Sequence, residues 1–181
     1  MTDEIRHAAA RGTAVVGICG GHQILGRSIR DPEQVEARVD ETTGLALLPT
    51  ETRFGSEKET HQVTAGVTGA ASWMSRPSGR QPKGYEIHMG HTQRVHNWLE
   101  ITDCGRTRAA LADGALSAHG RIWGCYLHGL FANRGFHRAW LASLGWTPQP
   151  ASFVPIDDPS STWIPWLMRL NWPWSWTLTP R

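Results

Sequence analysis

The feature that most constrains the fold is the stretch VVGICGGHQILG, residues 15–26. Thr13 to Ile18 is apolar on both faces, a pattern that predicts a short buried strand of the parallel type. Gly20 to Arg30 has the apolar spacing of a helix. A strand, a sharp turn and a helix form the unit from which parallel α/β sheets are built. The stretch therefore predicts an α/β fold, with a parallel sheet and helices on both of its faces.

Cys19 lies in the turn of this unit, directly before two glycines. The N-terminus of a helix carries partial positive charge, so we expect the Cys19 thiol to be partly ionised near neutral pH. The free N–H groups of the first helical turn can also receive a developing oxyanion. This arrangement is typical of a nucleophile elbow. A buried structural cysteine in a glycine-rich turn remains the alternative on this motif alone.

His128 stands at the end of a second predicted strand, in the segment CYLHGLF. Ligand sites in parallel α/β sheets assemble at strand ends, where residues distant in sequence meet. A cysteine and a histidine far apart in sequence are what a thiol–imidazole pair requires. The alternative is a capping or core-edge histidine.

The remaining pattern predicts a β-rich insertion from about residue 45 to 120. Within it, GYEIHMGHT (84–92) is a strand candidate, and GSEKET and SRPSGRQPKG have the composition of loops. A strand, a turn near Gly120 and a strand from Arg121 to His128 follow. Helices are predicted at residues 3–11, ending at Gly12, and at NRGFHRAWLASLG, ending at Gly145.

Charge and composition exclude several classes of function. The 18 basic and 16 acidic side chains nearly balance, and no run of like charge indicates a nucleic-acid or membrane partner. The polar N-terminus does not resemble a signal peptide, so we expect a cytoplasmic protein. Three widely spaced cysteines do not indicate a disulfide framework or a zinc site.

Five segments, in this order and spacing, resemble the glutamine amidotransferase domain of cobyric acid synthase. They are GICGGHQILG, GLALLPTETRF, GYEIHMGHT, DGALS and GCYLHGLF, and the resemblance runs from about residue 12 to 145. It implies a class I, triad-type amidotransferase fold. It also implies that Cys19 attacks the side-chain amide of glutamine and that His128 serves as base and acid. The N–H of Gly20 would be one oxyanion donor, and Gln23 would contact the bound glutamine.

Glu86 and His88 share one face of the predicted strand at 84–92. They are candidates for the lining of the glutamine pocket or of a domain interface; polar residues on a half-buried strand are the alternative. No metal site is expected, because alternation places His88 and His91 on opposite faces and no further ligands complete a set. We expect Lys58 to be a solvated loop lysine, and Cys104 and Cys125 to be inert thiols.

The resemblance also implies a larger enzyme, a ligase of cobalamin biosynthesis. In the family, ammonia from glutamine reaches an ATP-dependent synthetase domain or chain that amidates a corrinoid, adenosylcobyrinic acid a,c-diamide. No cofactor is expected in this chain, since ATP and Mg would bind that other domain. The family's first strand and its glycine-bearing loop, the second oxyanion donor, have no counterpart before Cys19. We therefore expect a fragment, incomplete at its N-terminus, with little activity alone, since losing one donor costs about 100- to 1000-fold.

Three positions depart from the family pattern. Leu130 stands where many triad amidotransferases have a carboxylate, so the group that orients His128 is unassigned. His22 and His91 stand where family members usually have tyrosine and arginine.

Two alternative functions stay open: a non-catalytic module that binds a synthetase partner, or another amidotransferase of the branch, such as that of cobyrinic acid a,c-diamide synthase.

The C-terminal tail has a different character. We place the domain at residues 1–147 and an irregular tail at 148–181, where five of the ten tryptophans lie in the last 19 residues. Their spacing fits no single buried face. If the coding sequence of the tail is read one base earlier, its codons permit the apolar spacing of a helix. Our hypothesis is that a frameshift between about residues 147 and 162 replaced the native C-terminal helix.

Overall fold

The computed structural model describes residues 1–68, 81–93, 95–103 and 111–147. The predicted tail and Cys104 lie outside the described residues. The described residues up to Trp146 belong to one compact unit. Its helices are α1 (Thr2–Ala10), α2 (Gly20–Leu25) and α3 (Arg134–Ser143), with a short 3₁₀ helix at Leu130–Ala132. Its strands are β1 (Val15–Ile18), β2 (Ser28–Arg30), β3 (Glu41–Thr43), β4 (Glu51–Val67), β5 (Lys83–Thr92), β6 (Leu99–Asp103), β7 (Leu111–Asp113), β8 (Ala115–Leu116) and β9 (Ile122–Cys125).

The predicted α/β core is confirmed in a three-stranded sheet of order β1-β9-β8. Strands β1 and β9 run parallel, with Ile18 opposite Cys125, and β8 pairs antiparallel to β9. Because β1 and β9 are parallel neighbours, the segments that follow them leave the sheet at the same edge. This edge is where the predicted site residues Cys19 and His128 are found.

One face of this sheet is covered by α3. Val16 and Trp123 lie on that side and belong to the same core cluster as Phe136 and Trp140 of the helix. The rings of Trp123 and Trp140 meet edge to face, with centroids 5.2 Å apart. Such a pair adds about 0.5–1.5 kcal/mol to the effect of burial alone, which anchors α3 to the sheet.

The opposite face is covered by α1 and α2. Val15 precedes Val16 in β1, and Ile122 precedes Trp123 in β9. Both pack on this face against Leu25 of α2 and Ile5 of α1. Alternate residues of each strand thus enter opposite cores, as the two-sided apolar pattern of β1 predicts. Helices lie on both faces of this sheet, as the sequence predicts.

The predicted helix from Gly20 to Arg30 is too long. Helix α2 ends at Leu25, Gly26 has an extended conformation, and the residues of β2 pair with β3 and β4. The last carbonyls of the helix accept hydrogen bonds from the N–H groups of Leu45 and Leu48. These tertiary bonds satisfy the helix end and release the chain into a strand.

The β-rich insertion forms a second, six-stranded sheet of order β3-β2-β4-β6-β7, with β5 also paired to β4. All the pairings in this sheet are antiparallel except that of β2 with β4. The β-rich part of the chain begins earlier than predicted, at β2 rather than at about residue 45. The strand predicted at 84–92 is confirmed as β5, and the predicted helix before Gly145 is confirmed as α3.

The prediction of a loop at GSEKET is wrong. These residues lie inside β4, and Lys58 is therefore a strand residue rather than a loop residue. The pairing of β4 with β5 shifts register between Phe54 and Glu59, so this part of β4 carries extra, unpaired residues. Such a bulge explains why a strand segment has the composition of a loop.

Candidate active site

Cys19 is the residue that joins β1 to α2, and its backbone is strained. Its φ is 54° and its ψ is −116°, outside the regions that residues with a side chain usually adopt. Its N–H donates to the carbonyl oxygen of Cys125 in β9 at 2.9 Å, which ties the turn to the sheet. Gly17 permits the sharp turn, because a Cβ there would overlap the backbone of Gly21. This is the geometry expected of a nucleophile elbow.

The Cys19 thiol is half-buried, and its Sγ donates to the carbonyl oxygen of Ile87 in β5 at 3.5 Å. Burial raises the pKa of the thiol; the N–H of Gly20 lowers it by a smaller amount, and the charge of Glu36 raises it further. The expectation of a partly ionised thiol at neutral pH is therefore wrong. Helix α2 has six residues, and the field of so short a helix does not outweigh the loss of water.

His128 follows β9 and joins β5 through an isolated antiparallel bridge to Tyr85. Burial lowers the pKa of its imidazole, so the neutral ring is the main species near pH 7. Its Nε2 is buried and has no hydrogen-bond partner among the described residues. The thiol of Cys19 is thus not hydrogen-bonded to this nitrogen. Both side chains nevertheless lie against β5, one at Ile87 and the other at Tyr85.

Gln23 lies one turn after Cys19 in α2, and its N–H donates to the Cys19 carbonyl at 3.1 Å. Its side chain is buried, and its Nε2 donates to the hydroxyl of Tyr126 at 3.3 Å. The same hydroxyl lies 2.7 Å from Oγ1 of Thr92 in β5. Tyr126 therefore fixes the amide of Gln23 in relation to β5.

Glu86 and His88 do share one face of β5, as the alternation predicts. Glu86 is buried, and the ring of His88 stacks on Tyr126 at 3.9 Å, with its Nδ1 3.0 Å from the Gly90 carbonyl oxygen. Both residues line a cleft of about 480 Å³ together with His22 and Tyr126. The structure thus brings Glu86 and His88 together; Cys19 and His128 are not part of that lining.

The two histidines that depart from the family pattern also lie at this cleft. His22 is 1% exposed; burial lowers its pKa to about 4, and its Nδ1 has no partner among the described residues. His91 lines the cleft as well, and its ring centroid is 6.4 Å from that of His88. Both rings therefore reach the same cleft, and the prediction that they leave opposite faces of the strand stays a prediction.

No group of three histidine, cysteine or carboxylate side chains within the described part of the chain is arranged to hold a metal ion. Nor does that part contain a helix long and apolar enough to cross a membrane. Cys125 is fully buried, and burial raises its pKa well above the ordinary value, which makes it an unreactive thiol.

Two residues at the site were not singled out from the sequence. Tyr126 connects Gln23 with β5, and the ring of Tyr85 is stacked on that of His128. Both belong to motifs that carry the family resemblance, GCYLHGLF and GYEIHMGHT. Tyr85 directly precedes Glu86, and Tyr126 lies two residues before His128. This closeness in sequence was a signal, but a tyrosine in a strand is more often a packing residue.

Comparison with known proteins agrees with the family resemblance of the sequence. The family described as the CobB/CobQ-like glutamine amidotransferase domain matches residues 1–136. The chain is 47% identical over 150 residues to the cobyric acid synthase of Chloroflexus aurantiacus, which is 81% of this chain and 29% of that protein. It is 46% identical over 131 residues to that of Moorella thermoacetica, 71% of this chain and 25% of that protein. The chain thus spans less than a third of the length of these curated relatives.

Proposed function

We propose that this chain, which belongs to the CobB/CobQ-like glutamine amidotransferase family, hydrolyses the side-chain amide of glutamine at Cys19. The observation that carries the proposal is the strained conformation of Cys19 between β1 and α2, next to β5. Strain of this kind at a βα turn exposes a nucleophile at the edge of the sheet. His128, held at the same strand, is the base.

The resting site is neutral, and this determines how the reaction starts. Since burial raises the pKa of Cys19 and lowers that of His128, the thiol keeps its proton until substrate is bound. His128 then removes that proton as Sγ attacks the amide carbon, and the Sγ–C bond forms. The carbonyl oxygen becomes an oxyanion, which the N–H of Gly20 stabilises.

Collapse of this intermediate breaks the C–N bond. The protonated His128 gives its proton to the departing nitrogen, and ammonia leaves behind a γ-glutamyl thioester on Cys19. Water, deprotonated by His128, attacks the thioester carbon, and glutamate leaves as the thiol takes its proton back. The proton that the thiol gives up leaves with ammonia, and the proton that it regains comes from water, so the cycle requires no cofactor.

Gln23, Glu86 and His88 are the proposed contacts for the glutamine substrate. Ile87, whose carbonyl oxygen accepts from the thiol, lies between Glu86 and His88 in β5, so the strand runs past the nucleophile with these side chains on one face. The buried carboxylate and the hydrogen-bonded amide of Gln23 are suited to an α-amino and an α-carboxylate group. Tyr126 holds Gln23 and His88 in place.

The ammonia would serve an ATP-dependent synthetase, with the corrinoid adenosylcobyrinic acid a,c-diamide as acceptor, in cobalamin biosynthesis. The name shared by the relatives, cobyric acid synthase, supports this step. ATP, Mg²⁺ and the corrinoid would bind the synthetase domain rather than this chain. The amidotransferase of cobyrinic acid a,c-diamide synthase is the alternative of the same branch. Product analysis with each corrinoid acceptor and the matching synthetase distinguishes the two.

The test of glutamine hydrolysis is covalent labelling with an electrophilic glutamine analogue, followed by peptide mass spectrometry. We expect labelling of Cys19 in preference to Cys104 and Cys125, with competition by glutamine. Cys19→Ser should abolish the label, and the matched control Cys104→Ser should retain it. Equal labelling of the three thiols in native protein would contradict the proposal.

A non-catalytic module that binds a synthetase partner is the second candidate. The raised pKa of Cys19 and the absence of a hydrogen bond from its thiol to Nε2 of His128 favour it. Saturable labelling that glutamine competes away supports the enzyme. Binding of the synthetase without any labelling of Cys19 supports the module.

A further inference from the structure

The orientation of His128 needs a physical explanation, because a carboxylate is lacking where triad amidotransferases often have one. Leu130 occupies that position, is 1% exposed, and packs in the core with Trp123 and Phe136. No hydrogen bond joins the imidazole of His128 to an acidic side chain among the described residues, and burial alone lowers its pKa. Some other group must restrain the ring if it is to exchange a proton with Cys19.

The ring of Tyr85 lies flat against that of His128. The two ring centroids are 4.8 Å apart and the planes differ by 6°. Two backbone hydrogen bonds join the same residues: the N–H of His128 donates to the carbonyl oxygen of Tyr85 at 2.8 Å, and the N–H of Tyr85 donates back at 3.3 Å. These bonds hold the N–H and the carbonyl oxygen of His128 in place. The stacked ring of Tyr85 then restricts rotation of the imidazole out of its plane.

The residue before Tyr85 permits this close approach. A Cβ on Gly84 would overlap the carbonyl oxygen of His128 and meet Cδ1 of Leu127 at 2.6 Å. Glycine therefore lets β5 come into contact with the segment that carries His128. Ile87, two residues further along β5, accepts the hydrogen bond from Cys19 at 3.5 Å. Alternate residues of a strand are separated by about 7 Å, so one strand holds both the thiol and the imidazole at a fixed spacing.

We propose that Tyr85 is the positioning residue for His128, and that its stacked ring does the work that a carboxylate does in other amidotransferase triads. The proposal rests on the glutaminase function proposed above. A stacked ring restrains orientation without adding negative charge, so the imidazole stays neutral and able to accept the thiol proton. A carboxylate would also favour the protonated ring.

The variants that test the proposal are Tyr85→Phe, which keeps the ring plane, and Tyr85→Ile, which removes it but preserves strand propensity. Tyr85 is 48% exposed, so truncation leaves the core intact, and thermal unfolding checks this. Tyr85→Thr serves as a second truncation. The matched control is Phe131→Leu, since Phe131 is also half-exposed and its ring contacts are to Trp123, Phe136 and His137.

The first readout is independent of activity: the proton NMR shifts of the His128 ring, assigned by comparison with His128→Gln. We expect the upfield ring-current shift to persist in Tyr85→Phe and to disappear in Tyr85→Ile and Tyr85→Thr. The second readout is the rate of Cys19 labelling by the electrophilic glutamine analogue between pH 6 and 9. The truncations should label about 3- to 10-fold more slowly, the rate equivalent of losing one aromatic pair, with an unchanged pH profile. Tyr85→Phe and the control should stay within about twofold.

Unchanged ring shifts and labelling rates in the truncations would overturn the proposal. So would a Tyr85→Phe variant as slow as the truncations, because the hydroxyl rather than the ring would then be responsible. If Cys19 is labelled in no variant, the glutaminase function fails, and the ring-current shifts alone decide whether Tyr85 orients the imidazole.

Discussion

The buried histidine of α2 should make the stability of this protein depend on pH. His22 is 1% exposed, and burial lowers its pKa from 6.5 to about 4. Below pH 6.5 the unfolded chain takes up a proton at this ring, whereas the folded state resists protonation until about pH 4. The unfolded state therefore binds more protons across this window, and stability is lost as the pH falls through it.

The pKa values fix the size of the effect. A difference between 6.5 and about 4 corresponds to about 3 kcal/mol in the free energy of unfolding, all of it present above pH 6.5 and absent below pH 4. At pH 5 about 2 kcal/mol should already be lost. Tyr126, which meets the ring edge to face at 5.4 Å, stays neutral throughout because burial raises its own pKa.

The assay is urea unfolding at pH 7, 6 and 5 for the wild type and for His22→Leu, which replaces the ring with an apolar side chain of similar size. The difference in free energy of unfolding between the two proteins cancels the contributions of all other titrating groups. Between pH 7 and pH 5, we expect the wild type to lose about 2 kcal/mol of stability relative to His22→Leu. His7→Leu, at an exposed position of α1, controls for the loss of one histidine. A pH-independent difference between wild type and His22→Leu would refute the reasoning.

Three further predictions concern the site. Tyr126→Phe removes the acceptor of the Gln23 amide and should lower the free energy of unfolding by about 1–3 kcal/mol, measured by urea denaturation; an unchanged midpoint would contradict the role of the hydroxyl. Burial raises the pKa of Cys19, so its alkylation by iodoacetamide should still be rising above pH 8.5; a plateau near neutral pH would show a preformed thiolate instead. The negative charge of Glu36 raises the pKa of Cys19, so Glu36→Gln should speed alkylation at low salt. The acceleration should disappear in 1 M salt, where the screening length is about 3 Å. Glu33→Gln, on the same exposed segment, is the matched control, and equal acceleration by both variants would exclude a specific effect.

The elements that the sequence predicted correctly are those whose signals are local. The two-sided apolar run of β1, the spacing of α3 and the alternation in β5 each fix a strand or a helix within a few residues. The glycines around Cys19 likewise predicted a tight βα turn, and the structure places a strained residue there. The assignment of Cys19, His128, Gly20, Gln23, Glu86 and His88 to glutamine hydrolysis stays a prediction that the labelling experiment tests.

The tertiary structure decided what depends on contacts between distant residues. Helix α2 ends early because its last carbonyls accept hydrogen bonds from Leu45 and Leu48. GSEKET becomes part of a strand because the residues on either side of its bulge pair with β5. The protonation state of Cys19 was predicted wrongly for the same reason. The helix N-terminus is visible in the sequence. The burial that outweighs it arises in the folded chain, where the thiol contacts Ile87 of β5, 68 residues away. Periodicity reports which face of an element is apolar, but desolvation and ring stacking depend on which other element covers that face, and only the folded chain brings the two together.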